Sequence, residues 1–307
     1  MPSAPEAPPC LLCGRRTVLL YPSNVPNGAP IESSELACTS PHLSVHDDIF
    51  TCHGCGLARA EPPGGVSEIE ESYRDVHDKL YRASEPERRE DFRRAIEGIE
   101  RHPFVSRGTL LEIGSSVGLF LDEATKRGWK ATGIEPSRWA SEQAAAMGLT
   151  VFNGMLDEFE AESASFDVVA SWDVWEHVQD PLHSLKRAHG LLKPGGLLAL
   201  TTVNMGGFMA RVMRGRWPWF MRMHLHYFTR KSLAEMVRRA GFEVLGMSTQ
   251  SKTLKLGYVV ERASKILGPL GGPAHKATGW LGLHDRRVRI NFGDILLIEA
   301  RKPESAA

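Results

Sequence analysis

The chain has 307 residues, with 37 lysines and arginines and 37 aspartates and glutamates, so its formal net charge is zero. This balance gives no whole-molecule field that would attract nucleic acid or an anionic membrane. The length allows one large domain or two, and no apolar run approaches the ~20 residues that span a bilayer. The N-terminus is polar and proline-rich and does not resemble a signal peptide, so we expect a soluble, cytoplasmic protein.

All five cysteines lie in the first 55 residues, and four of them form two Cys-x-x-Cys-Gly motifs at 10–14 and 52–56. Each motif puts two thiolates on one turn, and two such turns make the closed tetrahedral site that holds structural zinc. The alternatives are two disulfides, which a reducing cytosol disfavours, or an iron site of the same geometry. Cys38, in the loop between the motifs, is interpreted as a spare thiol. We predict a zinc-ribbon module over 1–62 with four ligands: Cys10, Cys13, Cys52 and Cys55.

A boundary and a linker follow the cysteines. Residues 61–65 are rich in proline and glycine, and Ser67 and Glu70 match a capping box that begins a helix. A strongly charged helix is predicted over 86–102, with charges typical of a solvated face. We therefore expect a helical linker over 63–105.

The rest of the chain is organised around a strand, a tight turn and a helix. Residues 109–113 are a short apolar run that predicts a buried strand, and the turn after it leads into an apolar-periodic segment that ends at Gly128. Gly114 and Gly118 have no Cβ, so the backbone of this turn can approach a ligand closely. Ligands of open α/β sheets bind outside the carboxyl ends of the strands. The turn is therefore a candidate binding site, although an ordinary tight turn has the same pattern.

A second predicted strand, over 130–134, strengthens the interpretation as a binding site. It is followed by Glu135, whose carboxylate is placed to accept hydrogen bonds from ribose hydroxyls. A helix capped by Thr229 is expected to end at Gly241. The remaining predicted elements are strands over 149–152, 166–172, 242–247 and 293–300, a strand after the Pro-Gly-Gly turn at 194–196, and an amphipathic helix over 256–267.

Five motifs in this order resemble those of the class I S-adenosylmethionine-dependent methyltransferases: Leu111-Glu112-Ile113-Gly114 with Gly118, Gly133-Ile134-Glu135-Pro136-Ser137, Phe166-Asp167-Val168-Val169, Glu176-His177-Val178 with Asp180-Pro181, and Leu192-Lys193-Pro194-Gly195-Gly196. The resemblance extends over 108–302. It implies an α/β, Rossmann-like sheet that is mostly parallel with an antiparallel last strand, preceded by the small zinc ribbon. The domain is expected over 106–307, with insertions at about 205–228 and 251–288.

The resemblance implies S-adenosylmethionine as cofactor and assigns it to the tips of the first strands. Glu135 is expected to bind the ribose. Met155 and Leu156 are expected to flank the adenine. Trp172 is expected at the methionine part, with core packing as the alternative. Four residues of the first strand and its turn are expected along the methionine half: Glu112, Gly114, Ser115 and Gly118.

The part of the predicted site that would bind the methyl acceptor, here called the acceptor side, contains candidate bases and aromatic residues. His177 follows the fourth strand, where the methyl group should point, and histidine suits proton removal near neutral pH. A scaffold role is the alternative, and His224 and His226 are rival bases. The segment 204–227 is interpreted as an arginine-edged lid rather than a membrane-surface helix or a nucleic-acid platform. Four aromatic residues are candidate substrate contacts or cofactor covers: Tyr73, Tyr81, Trp217 and Tyr227.

These features predict methyl transfer to a small-molecule acceptor, at a hydroxyl or a sugar carbon of a biosynthetic intermediate. An RNA base methyltransferase with a zinc module has the same architecture, but the balanced charge disfavours a nucleic-acid partner. The remaining alternative is a non-catalytic scaffold that binds the cofactor.

Overall fold

The computed structural model describes residues 7–25, 29, 31, 33–40, 42–62, 69, 72–267, 280 and 282–304. The capping box predicted at Ser67 and Glu70 lies outside these residues. Within them the helices are α1 (Glu85–Glu100), α2 (Leu119–Lys126), α3 (Arg138–Ala146), α4 (Pro181–Leu191), α5 (Phe208–Met213), α6 (Arg230–Arg239) and α7 (Leu256–Leu267).

The strands fall into three sheets. Their bounds are β1 (Val18–Tyr21), β2 (Asp48–Thr51), β3 (Ala58–Glu61), β4 (Thr109–Ile113), β5 (Lys130–Glu135), β6 (Thr150–Asn153), β7 (Phe166–Trp172), β8 (Leu192–Val203), β9 (His226–Tyr227), β10 (Glu243–Thr249), β11 (Lys252–Lys255), β12 (Arg287–Ile290) and β13 (Ile295–Arg301).

The central sheet has seven strands in the order β10-β13-β8-β7-β4-β5-β6. The five strands from β6 to β8 in this order are parallel, and β13 is antiparallel to both of its neighbours. This arrangement confirms the predicted fold class. The inner strands read as continuous apolar runs because both faces of the sheet are covered, and Leu110 and Leu111 on opposite faces of β4 are both fully buried. The carboxyl ends of β4, β5 and β7 consequently meet at one edge.

Helices cover both faces of this sheet. On one face, Ile96 and Ile99 of α1 pack with Phe120 of α2. The other face is covered by α4 and α6, whose apolar side chains join the largest core cluster. The Thr229 side chain accepts a hydrogen bond from the N–H of Ser232, which confirms the predicted cap of α6.

A smaller antiparallel sheet holds the N-terminal cysteine module, which we define as β1, β2, β3 and their connecting loops. Its order is β1-β2-β3-β9, so its last strand comes from the segment 204–227. Trp217 and Phe220 of that segment pack with Ile49 and Ala58 of the module. The expectation of a simple lid is therefore corrected, because much of this segment forms a shared core with the cysteine module.

The predicted C-terminal insertion contains α7 at its expected position and also an antiparallel hairpin of β11 and β12, which the sequence did not indicate. The hairpin is tied to α1, where Asp91 accepts a hydrogen bond from the N–H of Thr253 at 2.9 Å. No helix among the described residues combines the length and apolarity required to cross a bilayer.

The turn before α2 requires glycine for a packing reason that can be tested. Gly118 has φ +81°, and a Cβ there would lie 2.5 Å from Leu149 Cδ1 and 2.9 Å from Ala144 Cβ. Gly148 has φ +79°, but no described atom lies within 4 Å of the position that a Cβ would take there, so Gly148→Ala is a matched control for backbone strain alone. We expect Gly148→Ala to lower the free energy of unfolding by about 1–2 kcal/mol. Gly118→Ala should lower it by about 1–3 kcal/mol more, because the clash adds to the strain.

Urea denaturation followed by circular dichroism measures both free energies. Equal destabilisation by the two substitutions would contradict the packing explanation for Gly118.

Candidate active site and cysteine cluster

The turn after β4 lies against the loop after β7. The N–H groups of Gly114 and Ser115 both donate to the carbonyl oxygen of Ile134 at the end of β5, at 2.9 and 3.0 Å. Gly114 has φ +77°, and a Cβ there would lie 2.4 Å from Val174 Cγ2. Because Gly114 has no side chain, the carboxyl ends of β4, β5 and β7 can approach one another closely.

Glu135 is the polar centre of this edge. Its Oε2 accepts the N–H of Ser116 at 2.7 Å and its Oε1 accepts the N–H of Ser137 at 2.8 Å. Each carboxylate oxygen can accept a second hydrogen bond, so Glu135 can bind the two hydroxyls of a diol without losing these donors. Burial raises the pKa of Glu135 to about 7, although the two N–H groups oppose the shift.

Two buried polar atoms beside the turn have no hydrogen-bond partner among the described residues, Glu112 Oε2 and Ser115 Oγ. Burial, and then the charge of Glu135, raises the pKa of Glu112 well above its usual value. Unpaired buried polar atoms are unfavourable. A polar ligand that bonds with Glu112 would relieve this cost, whereas Ser115 Oγ packs against Gly133.

The loop after β6 is bonded to the main chain of Glu135. The N–H of Gly154 donates to the main-chain oxygen of Glu135 at 3.1 Å. Met155 and Leu156 follow it and are half-buried. Met155 and Leu156 therefore follow directly on a residue that is bonded to the end of β5.

Tyr81 covers the turn from the linker. It is buried and packs with Val117 and Leu119, at the start of α2. The guanidinium of Arg88 lies 3.8 Å from the centroid of its ring. Burial raises the pKa of Tyr81 to about 12, so its hydroxyl stays protonated. The linker thus closes one side of the edge that holds Glu135.

His177 has a fixed orientation at the same edge. Its Nδ1 lies 2.9 Å from the carbonyl oxygen of Met223 and 2.7 Å from Tyr73 Oη. A carbonyl can only accept a hydrogen bond, so we assign the proton to Nδ1, where the Tyr73 oxygen can also accept it, and the lone pair to Nε2. Burial lowers the pKa of His177 to about 4, which keeps the imidazole neutral near neutral pH.

His224 pairs with His177 in a similar state. Its Nδ1 lies 2.8 Å from the carbonyl oxygen of Trp219, and the two imidazole centroids are 4.7 Å apart. Burial, and then the neighbouring His177, lowers the pKa of His224 to about 3. Potential ligand atoms of Glu176, His177 and His224 all lie within 4.8 Å of one another. These donor types accept protons and also bind divalent cations.

Asp173 and Lys252 lie beside this site, although neither was among the predicted site residues. Asp173 has φ +57°, and its side chain accepts hydrogen bonds from Lys252 Nζ at 2.8 Å and Thr201 Oγ1 at 2.7 Å. Burial alone would raise the pKa of Asp173, but the Lys252 charge lowers it below its usual value. The sequence signal of Asp173 is its place directly after β7, in the same loop as His177, and its positive φ is a structural signal because strained backbone recurs at functional sites. Lys252 lies on the unpredicted hairpin and offered none.

The four predicted cysteine ligands come together in one cluster. Sγ–Sγ distances are 3.5 Å for Cys10–Cys55 and for Cys13–Cys52. A disulfide bond is about 2.05 Å, so both pairs are thiols. A tetrahedral site with metal–sulfur bonds of about 2.3 Å has sulfur–sulfur edges of about 3.8 Å, close to the observed separations. The cluster is therefore compatible with a closed metal site, while Cys38 is exposed and outside it.

The family model described as "Methyltransferase domain" matches residues 87–246, which is just over half of the chain. The chain belongs to this methyltransferase family. Two solved structures share the fold. The S-adenosylmethionine-dependent methyltransferase from Thermotoga maritima is 21% identical with a TM-score of 0.50, covering 73% of this chain and 93% of the other. A methyltransferase chain solved in complex with the Haloferax volcanii Trm112 methyltransferase activator is 19% identical with a TM-score of 0.55, covering 76% and 99%.

Curated relatives of this methyltransferase include two enzymes named ubiquinone biosynthesis O-methyltransferase. The protein from Caulobacter vibrioides is 36% identical over 115 residues, which are 35% of this chain and 45% of the relative. The protein from Cereibacter sphaeroides is 31% identical over 150 residues, which are 44% of this chain and 60% of the relative. The chain thus spans about half the length of the curated relatives that it matches.

Several predicted site residues of the methyltransferase lie in its cores. Trp172 packs against Phe120 with ring centroids 5.1 Å apart, which is the packing alternative stated for it. Trp217 and Tyr227 are corrected to core residues, because both are fully buried in the core that the segment 204–227 shares with the cysteine module. His226 lies outside the cluster of His177, with its Nε2 3.2 Å from the carbonyl oxygen of Gln179.

Glu135 predicts a pH dependence for the affinity of the protein for its cofactor. Ligand hydroxyls that donate to Glu135 favour its ionised form, so binding should require the carboxyl to lose its proton. Because the pKa of free Glu135 is about 7, affinity for S-adenosylhomocysteine should rise with pH through 7 and fall below it. Glu135→Gln should weaken binding by about tenfold or more, from loss of charge-assisted hydrogen bonds, and should remove this pH dependence.

Isothermal titration calorimetry between pH 5.5 and 8.5 measures both effects. Glu142→Gln, an exposed carboxylate on α3, is the matched control and should bind like the wild type. An unchanged affinity and pH profile in Glu135→Gln would contradict the assignment.

Proposed function

We propose that the protein transfers the methyl group of S-adenosylmethionine to a hydroxyl of a small molecule. The observation that carries the proposal is the position of His177, which follows β7 at the edge of the sheet and whose Nδ1 lies 2.9 Å from the Met223 carbonyl oxygen. The names of the curated relatives support oxygen as the acceptor atom.

The chain's own residues have separable roles in this proposal. S-adenosylmethionine supplies an electrophilic methyl group on a sulfonium, which is a good leaving group. Glu135 binds the ribose diol, and Met155 and Leu156 flank the adenine. Gly114 and Glu112 lie along the methionine part. These contacts fix the position of the cofactor, and in-line positioning is a large part of catalysis in such a transfer.

The acceptor hydroxyl must lose its proton as the new bond forms. We assign that proton to Nε2 of His177. The neutral imidazole of His224 lies beside it and lines the same side of the acceptor site. Burial is the largest cause of the raised pKa of Tyr73, which keeps its hydroxyl protonated and available to bond with His177 or with the acceptor. The buried surroundings also keep both imidazoles neutral before the acceptor arrives.

A panel of small phenols, catechols and sugars, assayed by release of S-adenosylhomocysteine, tests the proposal. We expect turnover on at least one hydroxylated small molecule and none on RNA. His177→Gln should lower kcat by about 10²-fold or more because the proton acceptor is lost, with little change in cofactor affinity.

His183→Gln is the control, because His183 is an exposed histidine on α4. Turnover on RNA alone, or a His177→Gln variant as active as the wild type, would contradict the proposed reaction.

We also propose that Cys10, Cys13, Cys52 and Cys55 bind structural zinc. The two glycines that follow the motifs support this, since Gly14 and Gly56 have φ of +69° and +79° and donate N–H bonds to the carbonyls of Cys10 and Cys52 at 2.8 Å. Such turns leave backbone N–H groups near the sulfurs. Four thiolates leave no open position, so the metal would have no part in the chemistry.

Elemental analysis of the purified protein should give one zinc per chain. Cys52→Ser should lose the metal and lower the melting temperature, because metal binding contributes folding free energy. Cys38→Ser keeps all four ligands and should retain zinc and wild-type stability. A metal-free protein of equal stability, or absence of free thiols in the denatured chain, would refute the zinc site.

A further inference from the structure

Arg222 places a buried positive charge at the boundary between the cysteine module and the acceptor side of the site. It is 7% exposed, with its Nε 3.4 Å from Asp47 Oδ2 and its Nη1 3.1 Å from Glu35 Oε2. Asp47 is only 2% exposed. Both acids belong to the cysteine module, so the ion pairs join the module to the segment that carries His224.

The carbonyl groups on either side of Arg222 accept hydrogen bonds from residues of the acceptor side. The carbonyl oxygen of Met223 accepts the Nδ1–H of His177. The carbonyl oxygen of Met221 accepts the N–H of His224 at 3.0 Å and the hydroxyl of Tyr227 at 3.2 Å. A shift of the Arg222 backbone would therefore move the carbonyl that bonds the imidazole of His177 and the carbonyl that bonds the main-chain N–H of His224, whose own imidazole bonds with Trp219.

The segment 221–226, which we call the wall segment, is also tied to the module and to the core in other ways. The N–H groups of Leu225 and His226 donate to the carbonyl oxygen of Glu176 at 2.6 and 3.0 Å. The N–H of Ala60 in β3 donates to the carbonyl oxygen of Leu225 at 2.9 Å. Apolar contacts with the module are shared by Leu36, Ala37, Met221, Met223 and Leu225. These contacts hold the wall segment in place, but apolar packing by itself does not fix the rotation of a carbonyl.

A buried arginine is an inefficient means of stabilising a fold. The desolvation penalty of a buried ion pair offsets much of its attraction, and apolar replacements of similar volume are often as stable. A guanidinium bonded to two separate carboxylates does, however, fix direction, because its donors have a rigid planar geometry. Arg222 lies between Met221 and Met223 in the chain. A guanidinium in a fixed position therefore restricts the orientation of the carbonyl groups of these two residues.

We propose that Arg222 is a positioning residue, which ties the wall segment to Asp47 and Glu35 of the cysteine module and so sets the orientation of the His177 imidazole and the main-chain position of His224. The cysteine module is then part of the acceptor side of the active site and not a separate appendage. The kinetic consequence rests on the proposed methyl transfer, whereas the orientation of the imidazoles can be measured without an acceptor.

The experiment is long-range ¹H–¹⁵N NMR of the histidine side chains in the zinc-loaded, full-length protein. In the wild type, His177 and His224 should both be Nδ1–H tautomers that resist protonation down to about pH 4. In Arg222→Met, we expect the His177 signals to shift toward a mixture of tautomers, because the Met223 carbonyl no longer fixes the proton on Nδ1. Asp47→Asn should cause a smaller shift in the same direction, because Glu35 still pairs with Arg222.

The comparison needs evidence that the variants are folded. Affinity for S-adenosylhomocysteine and zinc content should stay within about twofold of the wild type, because Arg222 is not one of the residues assigned to hold either group. Asp47→Asn preserves shape, so it reports on the pairing even where Arg222→Met does not fold. Arg238→Met is the matched control, since this arginine is exposed on α6.

Histidine tautomers and pKa values that match the wild type in a folded Arg222→Met or Asp47→Asn variant would overturn the positioning role. With an acceptor in hand, kcat should fall about tenfold or more at unchanged KM for S-adenosylmethionine, since small misplacements of reacting groups are expensive. If neither the wild type nor the variants turn over any acceptor while the NMR shifts occur, the proposed reaction fails and the positioning role stands.

Discussion

A single buried carboxylate organises the edge of the central sheet. Glu135 accepts one N–H from the turn after β4 and one from the start of α3, so it joins the first two strand-to-helix connections. Its main-chain oxygen accepts the N–H of Gly154 and so holds the loop after β6 as well. Because each carboxylate oxygen keeps capacity for a further hydrogen bond, the group that stabilises the turns can also bind a ligand diol. In our proposal, the stability of the turns and the recognition of the ligand depend on the same side chain.

The side chains of the acceptor side are held in place in a different way. Here the histidines are held by carbonyl oxygens of a non-repetitive segment, and that segment is held by the cysteine module through β9 and Arg222. The module and the domain share hydrophobic clusters instead of meeting across a polar, hydrated boundary. A metal that orders the N-terminal module would accordingly affect the acceptor side without touching it.

Much of the central fold could be predicted because its signals are local. Short apolar runs before glycine turns marked β4, β5 and β7, since parallel strands are buried on both faces. The Thr229 cap and the paired Cys-x-x-Cys-Gly motifs likewise depend on neighbours in the chain. The cofactor-side residues were predicted mainly from the resemblance to the methyltransferases, and they lie at or just after the carboxyl ends of strands.

The acceptor side could be predicted only in part, because its contacts are distant in sequence. Trp217 and Tyr227 were expected at the substrate because aromatic residues interleaved with arginines suggested a lid. Their apolar character could not show that the cysteine module, more than 150 residues earlier, would cover them. The two-residue strand β9 and the Asp173–Lys252 pair are set by tertiary packing, for which no local pattern exists.

The most direct test of the central claim is a crystal structure of the full chain with S-adenosylhomocysteine, whose thioether sulfur marks the position from which the methyl group leaves. We predict that the ribose hydroxyls bond with Glu135 and that the sulfur faces the space beside His177 and His224. A nucleoside bound elsewhere, or a sulfur that points away from these histidines, would contradict the account.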